Sequence, residues 1–437
     1  MKSKTIYKNK LKDTKKLTKK LTKKLTKKLT KKQKQKQNKQ IQITKTQSGG
    51  LKLGQGSYGC AIKPHIECDK PIPPRFQNKS LVSKIIPVYN ESIESDIINE
   101  LKINIAIKKL DPKHKFFAYA VDQCYANLTN KVGKRSNITS NIMTREEFQE
   151  DKNKKACNID PSINTINIIS IDAGLPFKEV LVLKKYEKER KILRNRFPII
   201  IKNLLQGLSL LHQNGIAHLD IKYDNMGIEF NGKSAYVRYL DFGFSEINKN
   251  IDITKKTIND INIIKGTPSF MSPDMYLINE LTNRIKHLKD SRYLFEPKIR
   301  NIIIKNTYNS IKDDTETAYK ESYQMNRDVL EYPSVKEKGF FDRLVGNVDI
   351  IQMEDITKLY NQIITLHHND ELITEFYKLE TGIIYKYDIF ALGVSFFLIG
   401  KYLEITSSKL NKLIRHMIDT NPIKRFSAKE CLEFLQN

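Results

Sequence analysis

The chain has few of the features that cross-link, export or embed a protein. Five cysteines, Cys60, Cys68, Cys124, Cys157 and Cys431, make an odd set with no C-x-x-C pair. That argues against a disulfide framework and an ordinary zinc site, and makes a reducing compartment the default. The longest apolar run, Ile389 to Gly400, is shorter than the ~20 residues a helix needs to cross a bilayer. The amino terminus is too rich in lysine for the apolar centre of a signal peptide. A soluble, intracellular and cytoplasmic protein without a transmembrane segment is expected. Acidic residues are also scarce, with 49 Asp+Glu against 76 Lys+Arg, but the deficit is local. Residues 1–50 hold 19 Lys, one Asp and no Arg, and so carry 18 of the 27 net positive charges. The whole 437-residue chain is 39% hydrophobic, enough to bury a large core spread over about three domain-sized units, or over one two-lobed unit with insertions.

The basic segment, residues 1–46, is low in complexity. From Leu17 to Lys32 it repeats L-T-K-K four times, which would set Leu17, Leu21, Leu25 and Leu29 on a helical stripe drifting by about 40° per repeat. Lys19, Lys23, Lys27 and Lys31 then repel one another at i,i+4 spacing, and threonine is a mediocre helix former. Disorder is expected in free solution. An anionic surface, whether nucleic acid, an acidic protein or anionic lipid, would relieve the repulsion; a solvated tail without a partner is the alternative. Gln47 to Gly50 reads as a linker.

After the linker, alternating Leu51-Lys52-Leu53 runs into Gly54-Gln55-Gly56-Ser57-Tyr58-Gly59 and then Cys60-Ala61-Ile62. A dinucleotide-binding G-x-G-x-x-G opens a helix, whereas these flanks read as strand, turn and strand. In this the segment resembles the glycine-rich lid of protein kinases, which implies that Leu53, Gly54, Gln55, Gly56, Ser57, Tyr58, Gly59, Cys60 and Ala61 cover ATP. Such a lid requires a lysine on the third strand and a glutamate on the next helix. Lys84, in Leu81 to Ile86, and Glu100, in Ile97 to Ile103, satisfy both. Lys63 imitates the V-A-I-K string more closely but lies only four residues past Gly59, on what reads as the second strand. Glu91 and Glu94 are substitutes for Glu100.

His218-Leu219-Asp220-Ile221-Lys222-Tyr223-Asp224-Asn225 and, farther on, Asp241-Phe242-Gly243 resemble the eukaryotic-type serine/threonine protein kinase family over most of residues 51–437. The resemblance implies an α+β, bilobal fold with a small β-rich N-lobe and a large helical C-lobe, and an ATP- and magnesium-dependent transfer to protein hydroxyls. Asp220 would orient the substrate hydroxyl, Lys222 neutralise the γ-phosphoryl, and Asn225 and Asp241 hold Mg2+. Gly266-Thr267-Pro268 resembles the substrate-facing loop, and Leu181 to Tyr186 the strand and hinge that bind adenine. Asp388 to Gly393 resembles the central helix of the large lobe, with Phe390 where the family often carries tryptophan, a residue absent from this chain. Arg425 would pair with Asp274 as a buried ion pair. The lid, Lys63-Pro64 and Leu110-Asp111-Pro112 also look similar to kinases of large nucleocytoplasmic DNA viruses, which would place the protein in a host cytoplasm or virion.

The departures bear on regulation. Leu219 stands where many members have arginine, so phosphorylation at Thr254 or Thr257 is not expected to be the principal switch. Gly227 replaces an apolar side chain beneath adenine, which would loosen nucleotide binding. The N-lobe is expected over residues 47–186 with an insertion at about 125–172, and the C-lobe over 187–437 with an insertion at about 277–384, helical near Ile356 to Leu366. That second insertion serves either docking or packing. A pseudokinase scaffold and a lipid or small-molecule kinase on the same fold are the alternative functions.

Overall fold

Strand-forming runs follow the linker first. In the computed structural model they build a five-stranded antiparallel sheet. The structure describes residues 51–56, 59–68, 70–126, 157, 159–160, 163–247, 266–267, 270–287, 296–311, 313, 353–365 and 382–437. The lysine-rich tail, the linker, Ser57, Tyr58, Thr254 and Thr257 lie outside these residues. The unit from Gly49 to Asn437 is the one considered below.

The sheet comprises β1 (Leu51–Gly56), β2 (Gly59–Lys63), β3 (Leu81–Pro87), β4 (Ala120–Ala126) and β5 (Thr165–Ile171), in the order β1-β2-β3-β5-β4. β1 and β2 form a hairpin closing at Gly56↔Gly59. Gly59 is required at its place: its φ is +157°, and a Cβ there would lie 2.3 Å from the Ile85 carbonyl oxygen, well inside contact distance. Helix α1 (Glu91–Leu110) covers one face of the sheet, burying Ile97, Ile103 and Ile107. Asn90 caps it by accepting the Ile93 N–H at 3.0 Å, and Glu91, Glu94, Lys108 and Lys109 suit its dipole. The Asp111 carboxylate then accepts the N–H groups of Lys115, Phe116 and Phe117 at 2.9, 2.7 and 3.1 Å, which fixes the turn toward β4.

The remainder is helical around short strands. β6 (Leu175–Pro176) leads into α2 (Phe177–Val182) and α3 (Glu187–Gln213). The buried Leu193, Phe197, Ile200, Ile201, Leu204, Leu205, Leu208 and Leu211 recur at helical spacing on α3. β7 (Ile216–Ala217) pairs with β10 (Glu246–Ile247), and β8 (Met226–Asn231) pairs with both β6 and β9 (Ser234–Tyr239). Then come α4 (Pro273–His287), α5 (residues 297–311), α6 (Met353–Thr365), α7 (Ile383–Tyr402), α8 (Ser408–Met417) and α9 (Ala428–Gln436). By length and composition α7 could cross a membrane, but 94% of its most apolar window is buried inside the protein; it is the core helix. The described parts of the 277–384 insertion pack: Ile303, Ile304 and Ile311 of α5 and Ile356, Leu359 and Tyr360 of α6 are buried in one cluster with α4 and Leu219.

Three sequence-based expectations need correction. The strand before the hinge is β5, which falls inside the expected 125–172 insertion; Leu181 to Tyr186 instead spans the end of α2 and a 3-10 turn. Leu181 and Val182 sit on a helix whose end is closed by Arg190 Nη1, donating to the carbonyls of Val180, Leu181 and Leu183. A short apolar run has no periodicity that separates strand from helix. The link that follows β5 is therefore Asp172 to Gly174, bonded back through Asp172 N–H to Ser80 O at 3.0 Å.

Cysteine is the third correction. Cys60 is bonded to Cys157 and Cys68 to Cys124, and Cys431 alone is free and buried. The partners are 97 and 56 residues apart, so only the folded sheet brings them together and local spacing carries no trace of them. The odd count comes from Cys431 on α9. The inference of a reducing compartment thereby loses its premise.

Candidate active site

Asp220, Lys222 and Asn225 follow β7 on a loop anchored from below by α7. The buried Asp388 carboxylate accepts the backbone N–H of His218 and of Leu219, each at 2.7 Å, and contacts His212 Nε2 at 2.9 Å. A carboxylate collecting several hydrogen bonds is a strong anchor in a dry interior. Leu219 has φ +64°, an uncommon conformation for a leucine, which these two bonds hold. His218 is fully buried, donates from Nε2 to Leu240 O (3.0 Å), and meets Phe242 in a tilted arrangement with ring centroids 5.1 Å apart. Phe242 in turn meets Phe117 edge-on at 6.0 Å. One buried row thus ties the Asp241-Phe242-Gly243 turn to the loop bearing Asp220.

The loop side chains converge. Asn225 Nδ2 donates to Asp220 Oδ2 at 2.6 Å and to Asp220 O at 2.9 Å; Thr267 Oγ1 donates to Asp220 Oδ1 at 2.8 Å. Lys222 Nζ lies 3.1 Å from Asp220 Oδ2 and 2.5 Å from Thr267 Oγ1. Asp220 is largely buried, beside a cavity lined by Ile221, Thr267, Phe270, Met275 and Tyr387. A hydroxyl reaching Asp220 would find a carboxylate whose orientation is fixed by three side chains.

From the sheet, Lys84 Nζ is 3.3 Å from both Glu100 oxygens and 2.8 Å from Asp241 Oδ1. Lys84 is therefore the lysine brought into the cleft. Lys63 instead pairs with Asp172 at 2.5 Å, and Glu94 accepts the Tyr125 hydroxyl at 3.0 Å. Burial works against the Lys84 ammonium, but Glu100 and Asp241 outweigh it and push its pKa upward. For Glu100 burial dominates over the attraction of Lys84 and raises the carboxyl pKa. At Asp241 burial opposes ionisation too, but Lys84 prevails and holds the pKa below the usual carboxylate value. The triad is thus a shared lysine between one deeply buried acid and one whose side chain is 43% exposed.

Asn225 and Asp241 fit a hard divalent cation. The Leu240 N–H donates to Asn225 O at 2.9 Å, so the residue before Asp241 is bonded directly to the Asn225 backbone. With Nδ2 spent on Asp220, the Asn225 carbonyl Oδ1 is the atom available to a metal, and Asp241 offers an accessible carboxylate. Two oxygen ligands of this type suit Mg2+, which keeps waters and draws further ligands from substrate phosphates. Among the described residues no cluster of three or more His, Cys, Asp or Glu could cage a metal unaided.

Backbones of Leu53, Gly54, Gln55, Gly56, Gly59, Cys60 and Ala61 lie in the β1–β2 hairpin, and Ala61 is paired with Lys84 across β2 and β3. Gly227 lies on β8 opposite Pro176. A Cβ at Gly227 would stand 2.3 Å from Ala173 Cβ, so Ala173 already supplies the apolar surface at this place and glycine is the only residue that fits. Two contributors escaped the sequence reading. Thr267 was placed on a substrate-facing loop but not against Asp220, and nothing local signals that contact. Asp388 could have been singled out as the acid inside the apolar stretch Ile383 to Gly400.

Arg425 and Asp274 meet as a fully buried pair, Nη2–Oδ1 2.5 Å, which fixes the start of α4 beneath the Thr267 segment.

Comparison with known proteins agrees with this geometry. The protein kinase domain family matches residues 175–434. Mitogen-activated protein kinase kinase kinase 3 of Arabidopsis thaliana is 41% identical over 83 residues, 18% of this chain and 12% of that protein. Serine/threonine-protein kinase shk1/pak1 of Schizosaccharomyces pombe is 40% identical over 77 residues, covering 17% and 10%. Serine/threonine-protein kinase pkn2 of Myxococcus xanthus is 28% identical over 98 residues, covering 20% and 12%. The aligned stretches thus span about an eighth or less of these relatives.

Proposed function

Because this chain belongs to the protein kinase domain family, we propose that it is an ATP- and Mg2+-dependent serine/threonine protein kinase. The observation that carries the reading is the convergence of Lys84 from the sheet and Glu100 from α1 with Asp241 from the loop after β9, beside Asp220, Lys222 and Asn225. The named serine/threonine kinase relatives support the hydroxyl class of acceptor.

In this account the β1–β2 hairpin closes over the nucleotide and the segment Asp172 to Gly174 borders its base. Lys84, held by Glu100, contacts the α- and β-phosphates. A metal held by Asn225 and Asp241 would neutralise phosphate charge as the bond to the leaving oxygen breaks. Asp220 orients the acceptor hydroxyl and takes its proton, while Lys222, bonded to Thr267, faces the transferring phosphoryl. Rate enhancement comes mainly from positioning. The basic tail is proposed to engage an anionic surface, and the expected host-cell or virion location rests on the lid, Lys63-Pro64 and Leu110 to Pro112 alone; the relatives named above come from a plant, a yeast and a bacterium.

The test is to incubate the full chain with γ-labelled ATP, Mg2+ and a mixture of basic proteins and lipids, then identify the labelled amino acids. Phosphoserine and phosphothreonine are expected. Label only in lipid or small molecules would move the function to the alternative kinase class, and nucleotide binding without any labelled product would favour a scaffold.

A further inference from the structure

We propose that the Cys60–Cys157 disulfide is a redox clasp on the nucleotide lid: while oxidised it holds β2 in its closed position, and its reduction by a small dithiol weakens nucleotide binding. The proposal deepens the kinase reading and rests on it.

The placement of Cys60 carries the argument. It directly follows Gly59, faces Gln55 across the hairpin, and lies opposite Ile85, the neighbour of Lys84. A tether at this atom therefore acts on the lid and on the strand bearing the phosphate-binding lysine together. Its partner Cys157 comes from the β4–β5 connection, far outside the hairpin in sequence. The cluster that seats Cys157 is small and separate from the main core: Cys60, Ile62, Ile85, Cys157 and Ile159 are its buried members. Among the described residues, Cys157 and Ile159 are the members of this cluster that the connection contributes, so the bond is the covalent tie between it and β2, and its opening acts locally before any general unfolding.

The other end of β2 has an independent anchor. Lys63 is paired with Asp172 at 2.5 Å, and Asp172 also accepts from Ser80 Oγ at 2.7 Å and from the Gly174 N–H at 2.9 Å. Reduction would thus leave the Gly59 end of the strand to its ladders with β1 and β3 alone, while the Asp172 end keeps its ion pair. The second disulfide, Cys68–Cys124, joins the β2–β3 connection to β4; neither of its cysteines lies on a lid strand, so it is an internal control. The chemistry is a thiol–disulfide exchange. A thiolate of the dithiol attacks one sulfur of the bond, the mixed disulfide is closed by the second thiol, and the chain gains two thiols as the dithiol becomes a cyclic disulfide. Both sulfurs are buried, so exchange follows opening and is slow.

The experiment measures binding of a fluorescent ATP analogue and, separately, phosphoryl transfer by the full chain, oxidised and after dithiothreitol. Reduction is expected to weaken analogue binding roughly fivefold or more, in the range of ordinary coupling between sites, with kcat changed less than KM. Cys157→Ser should bind like the reduced protein under both conditions. The double variant Cys68→Ser/Cys124→Ser should keep the redox response. Equal affinity of oxidised and reduced wild type would overturn the clasp, as would a response that disappears with the Cys68–Cys124 bond. So would weakened binding that merely tracks loss of helical circular dichroism, which would make the bond a staple. Absence of transfer in both states, with the affinity change intact, counts instead against the kinase reading.

Discussion

Replacing Arg425 by methionine isolates the energetics of a buried ion pair that fixes the large lobe. Both side chains are fully buried, and the guanidinium makes four contacts: Asp274 Oδ1 at 2.5 Å, Asp274 Oδ2 at 3.4 Å, Asp419 O at 2.8 Å and Lys386 O at 3.1 Å. Methionine fills much of the volume but leaves the Asp274 carboxylate without its counter-charge and two carbonyls without these donors. Removing one partner of such a pair costs about 3–5 kcal/mol, a large share of the ~5–15 kcal/mol that typically separates native from unfolded. Urea unfolding of the oxidised protein, followed by circular dichroism, should show that loss as a shifted midpoint at unchanged slope. The double variant Asp274→Leu/Arg425→Met removes the orphaned charge and should be less destabilised than the two single changes summed, by about 2 kcal/mol or more. A cost below about 1 kcal/mol for Arg425→Met, or additivity within ~0.5 kcal/mol, would refute the reasoning.

Three further outcomes follow from the same geometry. Titration with a thiol reagent in denaturant should detect one thiol without reductant, that of Cys431, and five after reduction; five at the outset would contradict the pairing. At Asp172 burial opposes ionisation, but the bonds from Lys63, Ser80 and Gly174 outweigh it and depress the carboxyl pKa below 3.8. Its stabilisation should be complete above that value and lost as pH falls through the depressed one, so Asp172→Asn should lower stability at pH 7 and lose less between pH 4 and pH 2 than wild type, as read by urea midpoints. Gly227→Leu drives a side chain into Ala173 and should cost about 1–3 kcal/mol as overpacking while weakening nucleotide binding; tighter binding would show that the site lacks an apolar floor.

Much of the cleft could be read from residue order because its parts sit on local patterns. Asp220, Lys222 and Asn225 share one loop, and the short interval to Asp241 is a hairpin, β8–β9, whose backbone pairing returns the chain to Asn225. Lys84 was separable from Lys63 because the strand order demands a lysine on the third strand, and the register Ala61↔Lys84 puts it there. The helical period near Ile356 likewise matches α6. What escaped has a common cause: contacts made by distant segments leave no local pattern. The disulfides join strands to far loops, Thr267 reaches Asp220 across 47 residues, and β5 lies behind a polar, Asn-rich stretch that obscures its apolar run. Gly227 is the instructive case. Its missing side chain suggests a hole, and only the packing shows that Ala173 fills it.

The most direct measurement compares Asp220→Asn with wild type for transfer of the γ-phosphoryl group at saturating ATP and Mg2+, with nucleotide affinity determined in parallel. Asn225, Thr267 and Lys222 all converge on the Asp220 carboxylate, so the account predicts near-unchanged affinity and a fall in kcat of about 10²- to 10⁴-fold, the range for loss of a positioned base. An asparagine variant that transfers phosphate at the wild-type rate would contradict it.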